Sequence, residues 1–359
     1  NCRYAGETKY ITMTNEIKNV KAAQWRKINV VVQHAADGTA TIGIVCDTWT
    51  YDEEVTFDTS MSLLEEAIPD DEEENPAAPS VTINGQSDLT YTLDSSKYDA
   101  DAEYEKSLQK GRRIWQGGLT LGDMGTRRRF SFAHQERVID ALMQSYREVK
   151  DETDGQCGRF TGTSNVYFAM KKGIPCLGTM SHQCISFEEI VSGVIECNYN
   201  VMNKWSEVYD GNVGIFLYDC FGDHVFFSNL SKRMAMTFSG LRVDSGREEE
   251  QVDLIVQKYK QLGIDPMTKQ AVFSNGLDIA RAIEIHRYCE GKIMDSYGVG
   301  TFLTCDVNGC SPMNIVLKLV RGRITESREW HPCVKLSCDK GKTLGDKQKC
   351  DYLVSVLNR

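Results

Sequence analysis

From residue 119 onward, the sequence repeats one pattern in which a short apolar run stops at small or polar residues and a helical segment follows. Helical spacing is clear at 133–150, with Val138, Leu142 and Tyr146 on one face, and at 248–262. Seven strands that alternate with helices predict a parallel sheet with right-handed crossovers. The runs are "GGLTLGDMGT", "GRFTGTSN", "IPCLGTMSH", "GIFLYDC", "FSGLRVDSG", "QAVFSNG" and "IMDSYGVGT".

The number of predicted strands favours an irregular, TIM-like β/α barrel over 119–318, although an open doubly wound sheet also fits the pattern. Residues 1–118 instead contain alternating strand-like runs such as "RKINVVVQ" and "TATIGIVC", with an acidic loop at 68–80. We expect 1–118 and 319–359 to form a second α/β layer domain together. In both architectures the polar strand ends gather at the carboxyl edge of the sheet, where ligands bind.

Composition excludes several classes of protein. The formal net charge of -10 argues against a broad surface for nucleic acid or an anionic membrane. The longest apolar runs, such as 28–32, are too short to span a bilayer. The thirteen cysteines include no Cys-x-x-Cys pair, which favours reduced thiols in a cytoplasmic protein over a zinc site or a disulfide framework. The opening Asn-Cys-Arg predicts a processed, trimmed or incomplete N-terminus.

Several strand ends carry groups that suit an anionic substrate. The stretch "GTRRRFS" places Arg127 and its neighbours at the start of a helix, where backbone N–H groups favour anions. The glycine-bearing loops "SNG" and "GVGT" would let backbone amides approach a phosphate, although glycine also simply makes turns. These features predict a local anion pocket in an acidic protein.

Charged side chains follow three other runs. Arg242 and Asp244 lie two residues apart on a predicted strand and should face the same side, either toward a substrate or as a structural ion pair. Asp219 ends an apolar run, where a carboxylate needs a hydroxyl, a cation or another partner. His182 follows a third run, which places it at the mouth of the predicted pocket.

Taken as a set, the stretches between about 119 and 343 resemble nicotinate phosphoribosyltransferases of the bacterial and fungal type. No single stretch is diagnostic, but they occur in the order and spacing of that family. The stretches are "GTRRRFS", "GTSN", "GTMSH", "LYDC", "GLRVDSG", "VFSNGLD", "YGVGTFLTCD", "MNIVLKLV" and "VKLSCDKGKT".

The resemblance implies transfer of a phosphoribosyl group from phosphoribosyl pyrophosphate to nicotinate, for NAD synthesis. It also implies Mg²⁺, ATP as a co-substrate, a phosphorylated histidine at His182, and a homodimer. Arg242 would bind the nicotinate carboxylate, Asp244 the ribose hydroxyls, and Asp219 would act near the ring or the sugar. Further substrate-binding residues implied by the family are Arg127, Met124, Thr163, Asn165, Asn275, Gly276, Gly298, Gly300, Thr301 and Tyr10.

The sequence leaves open which base the protein uses and whether it catalyses the reaction. The neutral Asn165 favours nicotinate, because the related nicotinamide enzymes have an aspartate there that would repel a carboxylate. The family usually has an aromatic residue at Met124, a glutamate at Gln183 and an aspartate at Asn275, and Asp-Pro where Arg247-Glu248 stand. A nicotinamide phosphoribosyltransferase is one alternative. These differences motivate a second alternative, a member without turnover that binds pyridine nucleotides or a protein partner.

Overall fold

In the computed structural model, the described residues are the backbone of four N-terminal strands and most of 98–357. Within 98–357, the description omits Thr179, Gly309, Ser311, 313–318, Arg323, 325–328 and 337–342. The N-terminal strands form two antiparallel hairpins, β1 (Ile28–His34) with β2 (Ala40–Cys46), and β3 (Ser80–Ile83) with β4 (Gln86–Thr90). They agree with the strand-like runs of the sequence.

The central feature is a six-stranded sheet in which every neighbouring pair is parallel. Its order is β6-β5-β10-β9-β8-β7, so β6 and β7, the second and third of these strands along the chain, form its two edges among the described residues. The strands are β5 (Thr120–Asp123), β6 (Arg159–Thr163), β7 (Ile215–Leu217), β8 (Gly240–Val243), β9 (Gln270–Phe273) and β10 (Met294–Val299). The α/β class with a parallel sheet is therefore confirmed.

Helices occupy the connections, as the apolar spacing predicts. The two segments expected at 133–150 and 248–262 form helices at Phe132–Glu152 and Glu248–Gln261. In order, the helices are α1 (Ala100–Gln116), α2 (Phe132–Glu152), α3 (Val166–Lys172), α4 (His182–Val208), α5 (Asp223–Asn229), α6 (Lys232–Thr237), α7 (Glu248–Gln261), α8 (Ile279–Cys289), α9 (Thr301–Thr304) and α10 (Lys347–Val356).

The prediction of a full strand in "IPCLGTMSH" is wrong, because the described residues of this run form a single parallel bridge. Cys176 pairs with Thr163 at the edge of β6. The Leu177 N–H donates to the Thr163 carbonyl at 2.8 Å, and the Thr163 N–H donates to the Pro175 carbonyl at 3.2 Å. Pro175 has no N–H of its own, and Gly173 ends α3 in a left-handed conformation, so little chain remains to extend the ladder.

One hydrophobic core joins the sheet to the helices and to the C-terminal segment. It contains Ile114 and Trp115 from α1 and buried residues of β5 and of β7 to β10, and Phe160 of β6 packs against it. It also contains Leu336 and Leu353 from the C-terminal segment. That segment comprises the short strands β11 (Arg321–Gly322), β12 (His331–Pro332), β13 (Lys335–Leu336) and β14 (Thr343–Leu344), followed by α10.

The domain boundaries near 118 and 318 stay predictions. In the part of the chain that the structure describes, no helix has the length and apolar character needed to cross a membrane.

Candidate active site

Polar side chains converge where β7, β8 and β9 end. Leu217 of β7 lies beside Arg242 of β8, and Val243 of β8 lies beside Phe273 of β9. Because these strands are parallel and adjacent, the residues that follow them meet at the carboxyl edge of the sheet. His182, the first residue of α4, reaches the same edge, where its side chain contacts Asp219.

A hydrogen bond between His182 and Asp219 forms the centre of this group. His182 Nε2 lies 3.0 Å from Asp219 Oδ1, and both side chains are buried. The second oxygen of Asp219 accepts from the Ser245 hydroxyl at 2.5 Å and lies 3.7 Å from Lys335 Nζ. The carboxylate thus faces three partners from different parts of the chain.

The pKa directions assign the protons in this pair. Burial by itself raises the pKa of Asp219, but the hydrogen bond and charge of His182, the charge of Lys335 and the Ser245 hydrogen bond outweigh it and hold that pKa below its ordinary value. Burial lowers the pKa of His182, which the contacts with Asp219 only partly offset. At neutral pH His182 is therefore neutral and Asp219 ionised. Since an ionised carboxylate only accepts, Nε2 carries the imidazole proton and Nδ1 the lone pair.

Arg242 and Asp244 lie side by side, as their spacing predicts. Arg242 Nη2 donates to Asp244 Oδ1 at 2.6 Å, and Arg242 Nε donates to the Ser274 hydroxyl at 2.7 Å. The Ser274 hydroxyl also lies 2.7 Å from Asp244 Oδ1. Burial raises the pKa of Asp244, but the charges of Arg242 and His182 outweigh it and lower that pKa. Asp244 Oδ2 is 3.7 Å from His182 Nε2, which joins the two pairs into one cluster.

A second polar group lies where β5 and β6 end, around the fully buried Asp123. Its carboxylate accepts from the Gly125 N–H at 2.8 Å, from Gln135 Nε2 at 2.8 Å and from the Thr163 hydroxyl at 2.7 Å. Burial raises the pKa of Asp123, against the lowering effect of these hydrogen bonds. The predicted substrate residue Thr163 is itself fully buried, so its hydroxyl serves Asp123.

The side-chain amide of Asn165 has a defined orientation. Its oxygen accepts from the Phe168 N–H at 3.1 Å, which caps the start of α3. Its Nδ2 therefore points the other way, where it donates to the Thr126 hydroxyl at 3.2 Å. The half-buried Asn165 thus presents an N–H donor toward the turn that holds Arg127.

Met124 packs closely against Gly298 and Gly300 at the carboxyl edge of the sheet. A Cβ at Gly298 would lie 2.5 Å from Met124 Sδ, and one at Gly300 would lie 2.9 Å from the Met124 carbonyl. The two glycines therefore allow close approach of the Met124 loop, in addition to any role toward phosphate. Thr301 starts α9 directly after Gly300.

The remaining predicted residues that the structure describes lie in a turn and a bend after the strands. Arg127 is exposed within a 3-10 turn at Thr126–Arg128. Asn275 and Gly276 form a bend after β9, where Gly276 has a left-handed φ of 60°. Tyr10 lies outside the described residues, so its predicted role stays untested.

His182, Asp219 and Asp244 also have the proximity of a metal site, since their candidate ligand atoms all lie within 4.8 Å of one another. Mg²⁺ prefers a shell of oxygen ligands. Here one ligand would be a nitrogen, and the two carboxylates already face the cations Lys335 and Arg242. The cluster therefore fits hydrogen-bond and proton chemistry better than a resident Mg²⁺.

Residues 119–359 match the model of the Nicotinate phosphoribosyltransferase (NAPRTase) family. The chain belongs to this family. A nicotinate phosphoribosyltransferase of Desulforapulum autotrophicum is 39% identical over 253 residues, which is 70% of this chain and 62% of that protein. The chain thus spans less than two thirds of that relative's length.

Solved structures agree with the family assignment. A nicotinate phosphoribosyltransferase from Porphyromonas gingivalis aligns with a TM-score of 0.68 and 38% identity, over 73% of this chain and 65% of that one. A structure from Saccharomyces cerevisiae aligns over 99% of this chain and 82% of its own, with a TM-score of 0.75. At 22% identity it shows the shared fold alone.

The sequence prediction missed several residues of the site, including Ser245 and Gln135. Asp123 ends an apolar run in the same way as Asp219, and that signal could have identified it. Ser274 follows β9 within "VFSNGLD", where the prediction named Asn275 and Gly276. Lys335, in "VKLS", carries no local signal, because only the tertiary structure brings it to Asp219.

Proposed function

We propose that this protein catalyses transfer of a phosphoribosyl group to nicotinate, with formation of nicotinate mononucleotide and pyrophosphate. The observation that carries the proposal is the joining of Arg242, Asp244, Asp219 and His182 in one cluster at the carboxyl edge of the sheet, in a chain of the nicotinate phosphoribosyltransferase family. These groups supply a cation for a carboxylate, an acceptor for hydroxyls and a neutral imidazole.

In the proposed reaction, the ring nitrogen of nicotinate attacks the anomeric carbon of phosphoribosyl pyrophosphate. The carbon–nitrogen bond forms as the carbon–oxygen bond to pyrophosphate breaks, and the pyrophosphate keeps the electron pair. Among the described residues, the hydrogen bonds of Arg242 use Nε and Nη2, so Nη1 is left to bind the nicotinate carboxylate. Asp244, held by Arg242 and Ser274, is oriented to accept from ribose hydroxyls.

We propose that ATP phosphorylates His182 in the same protein. The Nδ1 lone pair attacks the γ-phosphorus of ATP, and the nitrogen–phosphorus bond forms as the bond to the bridging oxygen breaks, so that ADP leaves with the electron pair. Asp219 accepts from Nε2–H throughout, which keeps the ring oriented and stabilises the charge that develops on it. Mg²⁺ belongs to this scheme as part of the ATP and phosphoribosyl pyrophosphate complexes, where it neutralises phosphate charge.

The finer architecture is part of the proposal. The contact between His182, which follows the bridge beside β6, and Asp219, which follows β7, links the two edges of the sheet. This link supports closure of the sheet into an irregular β/α barrel. A homodimer stays a prediction from the family, and light scattering of the purified protein tests it.

The test is to incubate the protein with nicotinate, phosphoribosyl pyrophosphate and Mg²⁺, with and without ATP. Nicotinate mononucleotide is quantified, and phosphate on histidine is located by mass spectrometry at neutral pH. We expect product, and phosphate on His182 when ATP is present. His286→Gln is the matched control, because His286 also pairs with a carboxylate, Asp295, at 2.8 Å but lies outside the cluster.

The outcomes separate the alternatives. Product without phosphate on His182 would refute the ATP coupling and leave the transferase. Absence of product with either base would refute the transferase and favour the binding protein without turnover, which the unusual Met124, Gln183 and Asn275 motivate. Faster turnover of nicotinamide than of nicotinate would favour the nicotinamide enzyme and contradict the selectivity expected from the Asn165 Nδ2 donor.

A further inference from the structure

The C-terminal segment reaches the candidate active site through one buried lysine. Lys335 of β13 is 9% exposed, and its Nζ lies 3.7 Å from Asp219 Oδ2. β13 packs against the 3-10 turn Asp219–Phe221 that carries this carboxylate. A buried ammonium beside a buried carboxylate is costly to separate, because either charge alone would be poorly solvated.

The position of Lys335 follows from docking of this segment onto α4, the helix that begins at His182. Lys349 of α10 forms an ion pair with Glu189 of α4 and donates to the Pro332 carbonyl at 2.8 Å. A Cβ at Gly322 would lie 2.7 Å from the ring of Phe187, which shows how closely β11 approaches the same helix. The docking of this segment therefore holds Lys335 beside Asp219, the hydrogen-bond partner of His182.

The charges around His182 are balanced. Asp219 and Asp244 face the imidazole at 3.0 and 3.7 Å, and both would favour a protonated ring. Lys335 faces Asp219, and Arg242 faces Asp244 at 2.6 Å. Among the described ion pairs, the two carboxylates beside the ring are thus matched by two cations. Without Lys335, one carboxylate would be uncompensated and would favour the imidazolium.

We propose that Lys335 is a positioning residue, which acts through Asp219 to keep His182 neutral with its lone pair on Nδ1. The inference rests on the proposed role of His182 as phosphate acceptor. An imidazolium carries protons on both nitrogens and cannot attack phosphorus. In agreement, burial is the largest influence that lowers the pKa of His182, and the Lys335 charge lowers it further.

The first test follows the ring of His182 directly. The ¹⁵N NMR titration of labelled histidines is recorded for the wild type, Lys335→Met and Lys335→Arg, with His182→Gln to assign the signal. We expect the His182 midpoint to rise in Lys335→Met and to return toward the wild-type value in Lys335→Arg. Lys269→Met is the matched control, because Lys269 is also buried but donates to the Met236 and Phe238 carbonyls. An unchanged midpoint in Lys335→Met would overturn the inference.

The second test measures phosphorylation of His182 against pH. In Lys335→Met the acid limb of the rate should move to higher pH, and each unit of movement lowers the rate on that limb about tenfold. The KM for ATP should stay at its wild-type value. A raised KM for phosphoribosyl pyrophosphate with an unmoved acid limb would instead show that Lys335 binds substrate, which also overturns the inference.

Two further outcomes are distinguishable. If Lys335→Met does not fold, Lys335→Gln carries the same titration, with the same expected rise and the same refuting result. If phosphate never appears on His182 at any pH, the proposed ATP coupling fails. The NMR midpoints then still decide whether Lys335 controls the protonation of the ring.

Discussion

Substitution of Asp123 should destabilise the protein more than substitution of any one of its hydrogen-bond partners. Its carboxylate is fully buried and accepts from three donors, the Gly125 N–H, Gln135 Nε2 and the Thr163 hydroxyl, at 2.8, 2.8 and 2.7 Å. Asp123→Ala leaves all three donors without this acceptor in the interior. The change therefore tests whether the group at the ends of β5 and β6 depends on one side chain.

The magnitude follows from the number of donors. A buried donor that loses its acceptor costs roughly 1–3 kcal/mol. The Thr163 hydroxyl can rotate, and Gln135 Nε2 also donates to the Thr126 hydroxyl at 3.0 Å. Removal of a buried charge recovers a further part of the loss, so we expect a decrease of about 3 kcal/mol in the free energy of unfolding. That is a large share of the ~5–15 kcal/mol typical of a domain.

Asp123→Asn is the matched change, because it keeps the shape and turns one acceptor into a donor. Its amide nitrogen would face the nitrogen of Gln135. Gln135 cannot flip without loss, since its oxygen accepts from Arg129 Nη1 at 3.1 Å. We expect this variant to lose about 1–2 kcal/mol.

Equilibrium unfolding in urea measures both variants. Ser107→Ala serves as control, because it removes one buried hydroxyl that donates within α1 at 2.8 Å. Asp123→Ala with a free energy of unfolding within ~1 kcal/mol of the wild type would refute the reasoning, since no three donors could then have lost a needed acceptor.

Three more outcomes are expected. Arg242→Ala should lower kcat/KM for nicotinate about 100-fold, because a charge-assisted hydrogen bond to the substrate is lost. Arg281→Ala, which breaks the ion pairs with Glu248 and Glu249, should leave kcat/KM unchanged. Equal kinetics of Arg242→Ala and the wild type would refute the assignment. Asn165→Asp, which keeps the cap of α3, should raise the ratio of nicotinamide to nicotinate turnover about tenfold, and an unchanged ratio would contradict the selectivity argument. Burial, with the charge of Lys110 and other cations, lowers the pKa of His134 to about 4, below that of the unfolded chain, so this histidine contributes stability that is lost as pH falls. We expect it to account for a loss of about 2 kcal/mol between pH 7 and 4.5 that is missing in His134→Gln; parallel urea-unfolding curves against pH for the two proteins would refute this.

The local pattern of the sequence predicted the elements well because each depends on near neighbours. Six of the seven apolar runs became strands of one sheet, and the helices at Phe132–Glu152 and Glu248–Gln261 match their predicted spans closely. An apolar run or a helical stripe must be buried wherever the chain goes, so its periodicity records its structure. The seventh run fell short because Pro175 cannot donate to a ladder.

The features of the candidate site that the sequence predicted also depend on near neighbours in the chain. The spacing of Arg242 and Asp244 already placed both on one side of a strand, and the polar strand ends already pointed to one edge of a sheet. The orientation of Asn165 could also be read in part, since an asparagine before a short helix is a common cap. The domain boundaries and Tyr10 stay predictions.

The sequence by itself determined which residues end strands, which faces are apolar, and that a parallel sheet gathers its polar strand ends at one edge. Only the tertiary structure decided the strand order, the bond between His182 and Asp219, the burial of Thr163 beneath Asp123, and the presence of Lys335 beside Asp219. The physical reason is that periodicity follows from local burial. Contacts between distant segments, and the pKa values that those contacts set, depend instead on how complete elements pack against one another.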